Sequence, residues 1–257
     1  MRCHIYNAAG NRILWIDGGS VRFESGFEEL KRAGSNLARQ CQCAQEMTAI
    51  LYRTASGSRA VFWNPDGTEE ELCGNAIRCL PHFISDGADL IDDICIETSR
   101  GIYVGRRLDE NHGSVVIPAF TIRIQPKQSN GDSLVNTGSP HCIRVVEHEW
   151  PKKVVKEAIA RSRGADPVNF DLVRVVNPFH FRARVFERGV GETFSCGTGA
   201  AAIVAALGTF DRSPGKPHLV EFASGEQLTV THHPSPDAFE VGGRVELLMA
   251  ASVAIES

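Results

Sequence analysis

Strongly basic stretches, bilayer-length apolar runs and low-complexity tracts are all missing from the sequence. Its 27 Lys and Arg against 31 Asp and Glu leave a formal charge of -4 over 257 residues. That balance argues against a nucleic-acid or anionic-membrane surface and leaves a small charged substrate open. A membrane helix needs about 18 consecutive apolar residues, and no segment approaches it. The opening "MRCHIYNAAGNRILWID" alternates like a strand and does not pass from a charged region into an apolar core. A secretion signal is therefore not expected, and the cytoplasm is the expected location.

Metal-binding and disulfide patterns are also weak. The eight cysteines are Cys3, Cys41, Cys43, Cys73, Cys79, Cys95, Cys142 and Cys196. A chain of this length buries a core without covalent staples, and a reducing compartment predicts thiols. Most are expected to be small buried apolar residues, with one or two left for chemistry. Cys41 and Cys43 form a C-x-C pair, and His82 and His141 lie near other cysteines, but the paired spacing of a zinc site is lacking. No bound metal is expected.

What the chain does have is a cysteine placed twice in the same setting. In "SCGTGAAAIVAAL" (195–207) Cys196 and Gly197 precede a run of strong helix formers. In "ELCGNAIRCLPHF" (71–83) Cys73 and Gly74 precede a second helix, expected from about Asn75. At the same offset before each cysteine stand Asn64 and Glu187, where the strands "RAVFWN" and "RARVFE" enter glycine-containing turns. At nearly the same offset after each, "CIETSRGIYVGRRL" and "VEFASGEQLTVTHH" read as strand, glycine turn at Gly101 or Gly225, and strand. The unit strand, turn, Cys-Gly, helix, hairpin thus recurs about half a chain length apart. Two further helices are expected over 27–40 and 151–163, with charged solvated faces. The segment 119–133 reads as a loop and the best domain crossover. Two similar domains facing a cleft would each contribute one helix N-terminus to it.

A helix start presents unsatisfied N–H groups and the positive end of the dipole, which stabilises a carboxylate or a thiolate. A cysteine hydrolase would also need a histidine base. His82 or His141 can be offered for Cys73, but no histidine occupies the matching place near Cys196, so that chemistry leaves the repeat unexplained. Two equivalent thiols suit proton transfer. One thiolate removes a proton from carbon, and the opposite thiol returns one to the other face. A helix start should lower the thiol pKa, and the two thiols should titrate as a pair. N–H groups at both helix starts would hold the reacting carboxylate and stabilise its developing charge. No motif anchors a pyridoxal lysine, so no cofactor is expected.

The motifs "LCGNAIRC" and "SCGTGAAA" resemble the two active-site cysteine motifs of the diaminopimelate epimerase family. "AAGN", "NPDG", "GSPHC", "VNF", "ERGVGET" and "ASGEQLTV" extend the likeness over most of the chain. The resemblance implies an α/β (α+β) fold of two pseudo-symmetric domains. Each would be a curved, mainly antiparallel sheet wrapped around a central helix, with the active site in the cleft between them. The implied domains are 1–118, joined by the C-terminal strand at about 248–257, and 119–247. The implied activity is cofactor-independent interconversion of LL- and meso-diaminopimelate, by a homodimer, with no nucleic-acid or membrane partner. Cys73 and Cys196 would be the acid–base pair. Gly74, Asn75, Gly197 and Thr198 would hold the reacting carboxylate. Asn11, Asn64, Ser139, Asn169, Glu187 and Arg188 would bind the rest of the substrate, the last four at its distal end together with Asn64. Oxidation would link Cys73 to Cys196 and stop activity reversibly.

Three departures bear on substrate more than on reaction. Ala76 replaces the usual glycine of "CGNGARC", Arg12 and Ile13 follow Asn11 where the family has "GNDF", and Ser139 replaces the asparagine of "GNPH". A racemase for another amino acid, such as histidine, is therefore the second reading. A binding module whose cysteines are only core is the third.

Overall fold

The structure is a computed structural model and describes residues 2–20, 24–41, 46–55, 57–85, 93–118, 122–125, 128–164, 168–208, 215–234 and 237–252. Cys43, half of the C-x-C pair, lies outside them, as do parts of 119–133. Among the described residues the chain is α/β, with many strands and four helices. It divides into two compact units, residues 1–115 with 243–257, and residues 116–242. The divisions expected from the sequence lie a few residues further on, at 118/119 and about 247/248.

In the first unit, β1 (Arg2–Ala8) and β2 (Asn11–Ser20) pair antiparallel, and helix α1 (Glu24–Gln40) leads to β3 (Met47–Thr54), which runs parallel to β2. β3 then pairs antiparallel with β4 (Gly57–Trp63), which is bordered by the short β5 (Glu69–Glu70). After helix α2 (Gly74–Ser85), β6 (Ile94–Thr98) returns parallel to β4 and turns back as β7 (Gly101–Arg107). β8 (His112–Pro118) follows.

The second unit repeats this order. After β9 (Ile122–Ile124), β10 (Ser133–Thr137) and β11 (Pro140–Val145) pair antiparallel. Helix α3 (Lys152–Ser162) precedes β12 (Asn169–Asn177), which is parallel to β11. β12 pairs with β13 (His180–Glu187), β13 is bordered by β14 (Gly191–Thr193), and helix α4 (Gly197–Leu207) follows. β15 (His218–Phe222) returns parallel to β13 and turns into β16 (Gln227–Pro234). β17 (Asp237–Ser252) begins in this unit and crosses into the first, where its residues from Val245 pair with β1. The duplication is therefore larger than the stretch legible in the sequence, extending back through the outer helix and the hairpin before it. The expected loop at 119–133 also holds strand β9, paired with β10. Short, alternating segments of this kind are easily read as coil until a partner strand is found.

The two cysteine-bearing helices are the buried centres of their units. Asn75 through Phe83 of α2 and Gly197 through Ala205 of α4 are buried on every side. A helix enclosed all round needs small or apolar residues at all positions, which explains the alanines of α4. α2 packs on β1, β2, β6 and β7, and β7 comes so close that a Cβ at Gly105 would stand 2.8 Å from the Ile77 carbonyl. The outer helices α1 and α3 keep charged faces in solvent, as expected. Cys79 and Cys142 are the buried apolar thiols that were anticipated. Cys95 is exposed, and Cys3 and Cys41 are half-buried.

Candidate active site

Each site cysteine stands just before the first residue of its helix. The Cys73 carbonyl accepts from Ile77 N at 3.0 Å, and the Cys196 carbonyl accepts from Ala200 N at 2.9 Å. These are the first intrahelical bonds, so both residues are N-caps. Cys196 is extended (φ -137°, ψ 118°), and its sulfur accepts from Gly199 N at 3.4 Å. The hairpin after each helix turns on a glycine with positive φ, Gly101 at 115° and Gly225 at 90°, where a side chain would be strained.

Around Cys73, Gly74 opens α2 and Asn75 is buried, its Oδ1 taking no hydrogen bond among the described residues. A buried acceptor left in that state costs free energy unless a ligand group reaches it. The Trp15 indole donates to the Ala76 carbonyl at 2.9 Å and ties β2 to the helix start. Asn11 is buried on β2, on the same strand face as Trp15. Asn64, at the end of β4, uses its Nδ2 to donate to Thr68 Oγ1 at 3.1 Å. That bond holds the "NPDG" turn.

The second unit gathers more of the candidate residues. Asn169 Nδ2 donates to Ser139 Oγ at 2.7 Å and to the Pro140 carbonyl at 3.0 Å, and Asn169 Oδ1 accepts from Arg188 N at 2.8 Å. Ser139, Asn169 and Arg188 thus form one bonded group, with the Arg188 side chain exposed. Glu187 Oε1 accepts from Thr193 Oγ1 at 2.6 Å, and its carboxyl is close enough to Cys196 to act on the thiol through its charge. Glu187 was expected at the distal end of a substrate together with Arg188. In this structure Glu187 ends β13 with its carboxyl near the Cys196 thiol, and Arg188 follows in the turn.

Two further residues lie beside Cys196: His141, offered from the sequence only for Cys73, and Asp171, not singled out there. His141 Nδ1 and Asp171 Oδ2 are 2.6 Å apart, both side chains fully buried, and His141 Nε2 lies 3.0 Å from Thr198 Oγ1. Thr198 Oγ1 in turn is 3.3 Å from Cys196 Sγ. His141, offered from the sequence for Cys73, here reaches Cys196 through Thr198, from a strand far from α4 in sequence. A signal was present in "NFDLV", where an acid sits inside an apolar strand and must be paired if buried.

The surroundings also reverse the expected direction of the Cys196 titration. Burial pushes its thiol well up, and the nearby Glu187 and Asp171 push it further. The Thr198 and Gly199 bonds pull the other way and are outweighed. Burial likewise raises Glu187 above the usual carboxylate range, against the bond from Thr193. Cys196 is therefore held as a thiol.

The family model described as diaminopimelate epimerase matches residues 133–245. A diaminopimelate epimerase from Neisseria meningitidis is 32% identical over 220 residues, covering 70% of this chain and 75% of the relative. The chain belongs to the diaminopimelate epimerase family. Another member, from Elusimicrobium minutum, is 29% identical over 250 residues, covering 88% of this chain and 89% of its own. This chain is an isomerase of that family, which removes the binding-module reading. Among solved structures, a Bacillus anthracis phenazine biosynthesis protein of the PhzF family has TM-score 0.69 at 17% identity, covering 99% of both chains. A hydroxyproline epimerase from Agrobacterium vitis has TM-score 0.64 at 14% identity, covering all of this chain and 93% of that one. Those likenesses show that this chain shares their fold.

Proposed function

We propose that this chain is a cofactor-independent amino-acid epimerase that converts LL- to meso-diaminopimelate through Cys73 and Cys196. The observation that carries the reading is that both cysteines cap the buried central helix at the same place in a duplicated unit. In this reading the two thiols act on opposite faces of one α-carbon. Deprotonation at one face leaves a carbanion whose charge spreads onto the carboxylate. N–H groups of Gly74, Asn75, Gly197 and Thr198 stabilise that charge. The second thiol then gives its proton to the other face. Asn75 Oδ1, a buried acceptor awaiting a donor, suits the substrate ammonium. Arg188, exposed and held at its backbone by Asn169, suits the distal carboxylate.

The test is incubation of reduced enzyme with LL-diaminopimelate in deuterated water. Deuterium at an inverted α-carbon is the expected result, and absence of both exchange and inversion would exclude this substrate. A second reading, racemisation of another amino acid, is favoured by the engaged Asn169 amide. Both its donors are spent on Ser139 and Pro140, which leaves less hydrogen bonding for a distal amino-acid end. A screen of L-amino acids for loss of optical rotation separates the two. The reading also includes a cytoplasmic homodimer. Leu247, Leu248 and Met249 of β17 are about half exposed, an apolar surface that such a contact would bury, and sedimentation measures it.

A further inference from the structure

We infer that Asp171 is a positioning residue that sets the direction of a proton wire running from Cys196 through Thr198 to His141. The inference rests on the epimerase reading for its consequence in catalysis, but its geometry lies wholly within the second unit. The four groups are in series: Cys196 Sγ to Thr198 Oγ1 at 3.3 Å, Thr198 Oγ1 to His141 Nε2 at 3.0 Å, and His141 Nδ1 to Asp171 Oδ2 at 2.6 Å. The Thr137 hydroxyl fixes the Thr198 backbone by donating to its carbonyl at 3.0 Å.

A carboxylate can only accept, so the short bond makes His141 Nδ1 the donor and fixes the tautomer. Nε2 is then the acceptor, the Thr198 hydroxyl points its proton at Nε2, and the thiol points its proton at Thr198. Every donor in the series faces Asp171. When Cys196 releases its proton to Thr198, Thr198 passes its own to Nε2. The net change is thiol plus imidazole to thiolate plus imidazolium, with no proton taken from solvent and the new cation held against Asp171. The charged groups facing this centre are Asp171, Glu187 and Cys196 itself. Gly199 admits the arrangement: a Cβ there would stand 3.1 Å from Asp171 Oδ1 and 3.2 Å from His141 Cε1. An amide in place of Asp171 can present its NH2 to Nδ1, reverse the tautomer and turn every donor the wrong way. The aspartate of a serine-protease triad acts on its histidine in this manner.

The experiment compares the full-length wild type with Asp171→Asn, Asp171→Glu and Thr198→Val. Nitrogen NMR of labelled histidine reads the His141 tautomer, and peptide mass spectrometry reads the iodoacetamide alkylation rate at Cys196 from pH 6 to 10. The expected result for Asp171→Asn is loss of the Nδ1–H tautomer and at least tenfold slower alkylation of Cys196, with Cys73 unchanged. Thr198→Val, which cuts the wire but keeps the backbone N–H, should slow Cys196 alike, and Asp171→Glu should recover part of the rate. A merely electrostatic role predicts the opposite sign, because removing a negative charge favours a thiolate. Equal or faster alkylation of Cys196 in Asp171→Asn, or in Thr198→Val if the first variant does not fold, overturns the proposal. So does a wild type whose Cys196 is never alkylated. These readouts need no substrate, so a failure of the diaminopimelate assay alone would count against the proposed function and not against the wire.

Discussion

At the start of α2 the third residue after the cysteine is Ala76, and at the start of α4 it is Gly199. The two positions are equivalent in the duplicated units, yet they face different neighbours. Ala76 is fully buried and its carbonyl receives the Trp15 indole. Gly199 lies against Asp171, His141 and the Cys196 Cβ, with room for no further atom unless one of them yields. The same offset distinguishes Asn64, a neutral amide spent on its own turn, from Glu187, a carboxyl set against the Cys196 thiol. Duplication supplied two similar helix starts. The second carries charged and hydrogen-bonded groups beside its cysteine, and at the first the Trp15 indole supports the helix start. Ala76, which adds a methyl where the family motif has glycine, is fully buried at the first helix start.

Substitutions that exchange these features test how far the comparison holds. The largest effect is expected from Cys73→Ala and Cys196→Ala, each lowering epimerisation by about a thousandfold or more, the scale of a lost acid or base. Turnover measured by chiral chromatography checks this, and near-normal turnover in either variant would break the equivalence of the two thiols. Gly199→Ala should come next, lowering kcat about tenfold by displacing His141 and Asp171 and costing about 1–3 kcal/mol of stability through overpacking. Steady-state kinetics and denaturant unfolding measure the two parts.

The buried thiols Cys79 and Cys142, one in each unit, give a pH test of stability. Burial pushes both up to about 12, and for Cys142 the adjacent Asp132 adds to it. Their folded values are raised, so the folded chain holds these protons longer than the unfolded chain does. Stability is full below the ordinary thiol value of 9.0 and falls as pH rises from there toward about 12. Each thiol should remove roughly 1.4 kcal/mol per pH unit in that window. Chemical unfolding between pH 8 and 11 should show the slope, and Cys79→Ala should flatten its share. The smallest effect is expected from Ala76→Gly, about 1 kcal/mol from helix propensity, with kcat little changed. A large loss of activity there would mean that the first helix start is as tightly built as the second.

The helices at 27–40 and 151–163 were legible because their periodicity is local, and the observed bounds, Glu24–Gln40 and Lys152–Ser162, differ by few residues. The two Cys-Gly helix starts were legible for the same reason: a cap, small residues and a run of helix formers all lie within one turn. Strand β9 and the full length of the duplication were not, since short strands declare themselves only through a partner. His141 was noticed as a partner for Cys73, but its link to Cys196 through Thr198 was not legible. Asp171 was passed over, although an acid amid Phe170, Leu172 and Val173 asks for a buried partner.

By itself the sequence determined that a cysteine would cap a helix in each half of this protein, because orphan N–H groups and helix propensity are properties of neighbouring residues. Only the tertiary structure decided that Cys196 would be held as a thiol beside Glu187 and linked through Thr198 to His141 and Asp171. Burial and the charges around a sulfur come from β11, β12 and β13, strands brought to α4 by folding and not by adjacency along the chain.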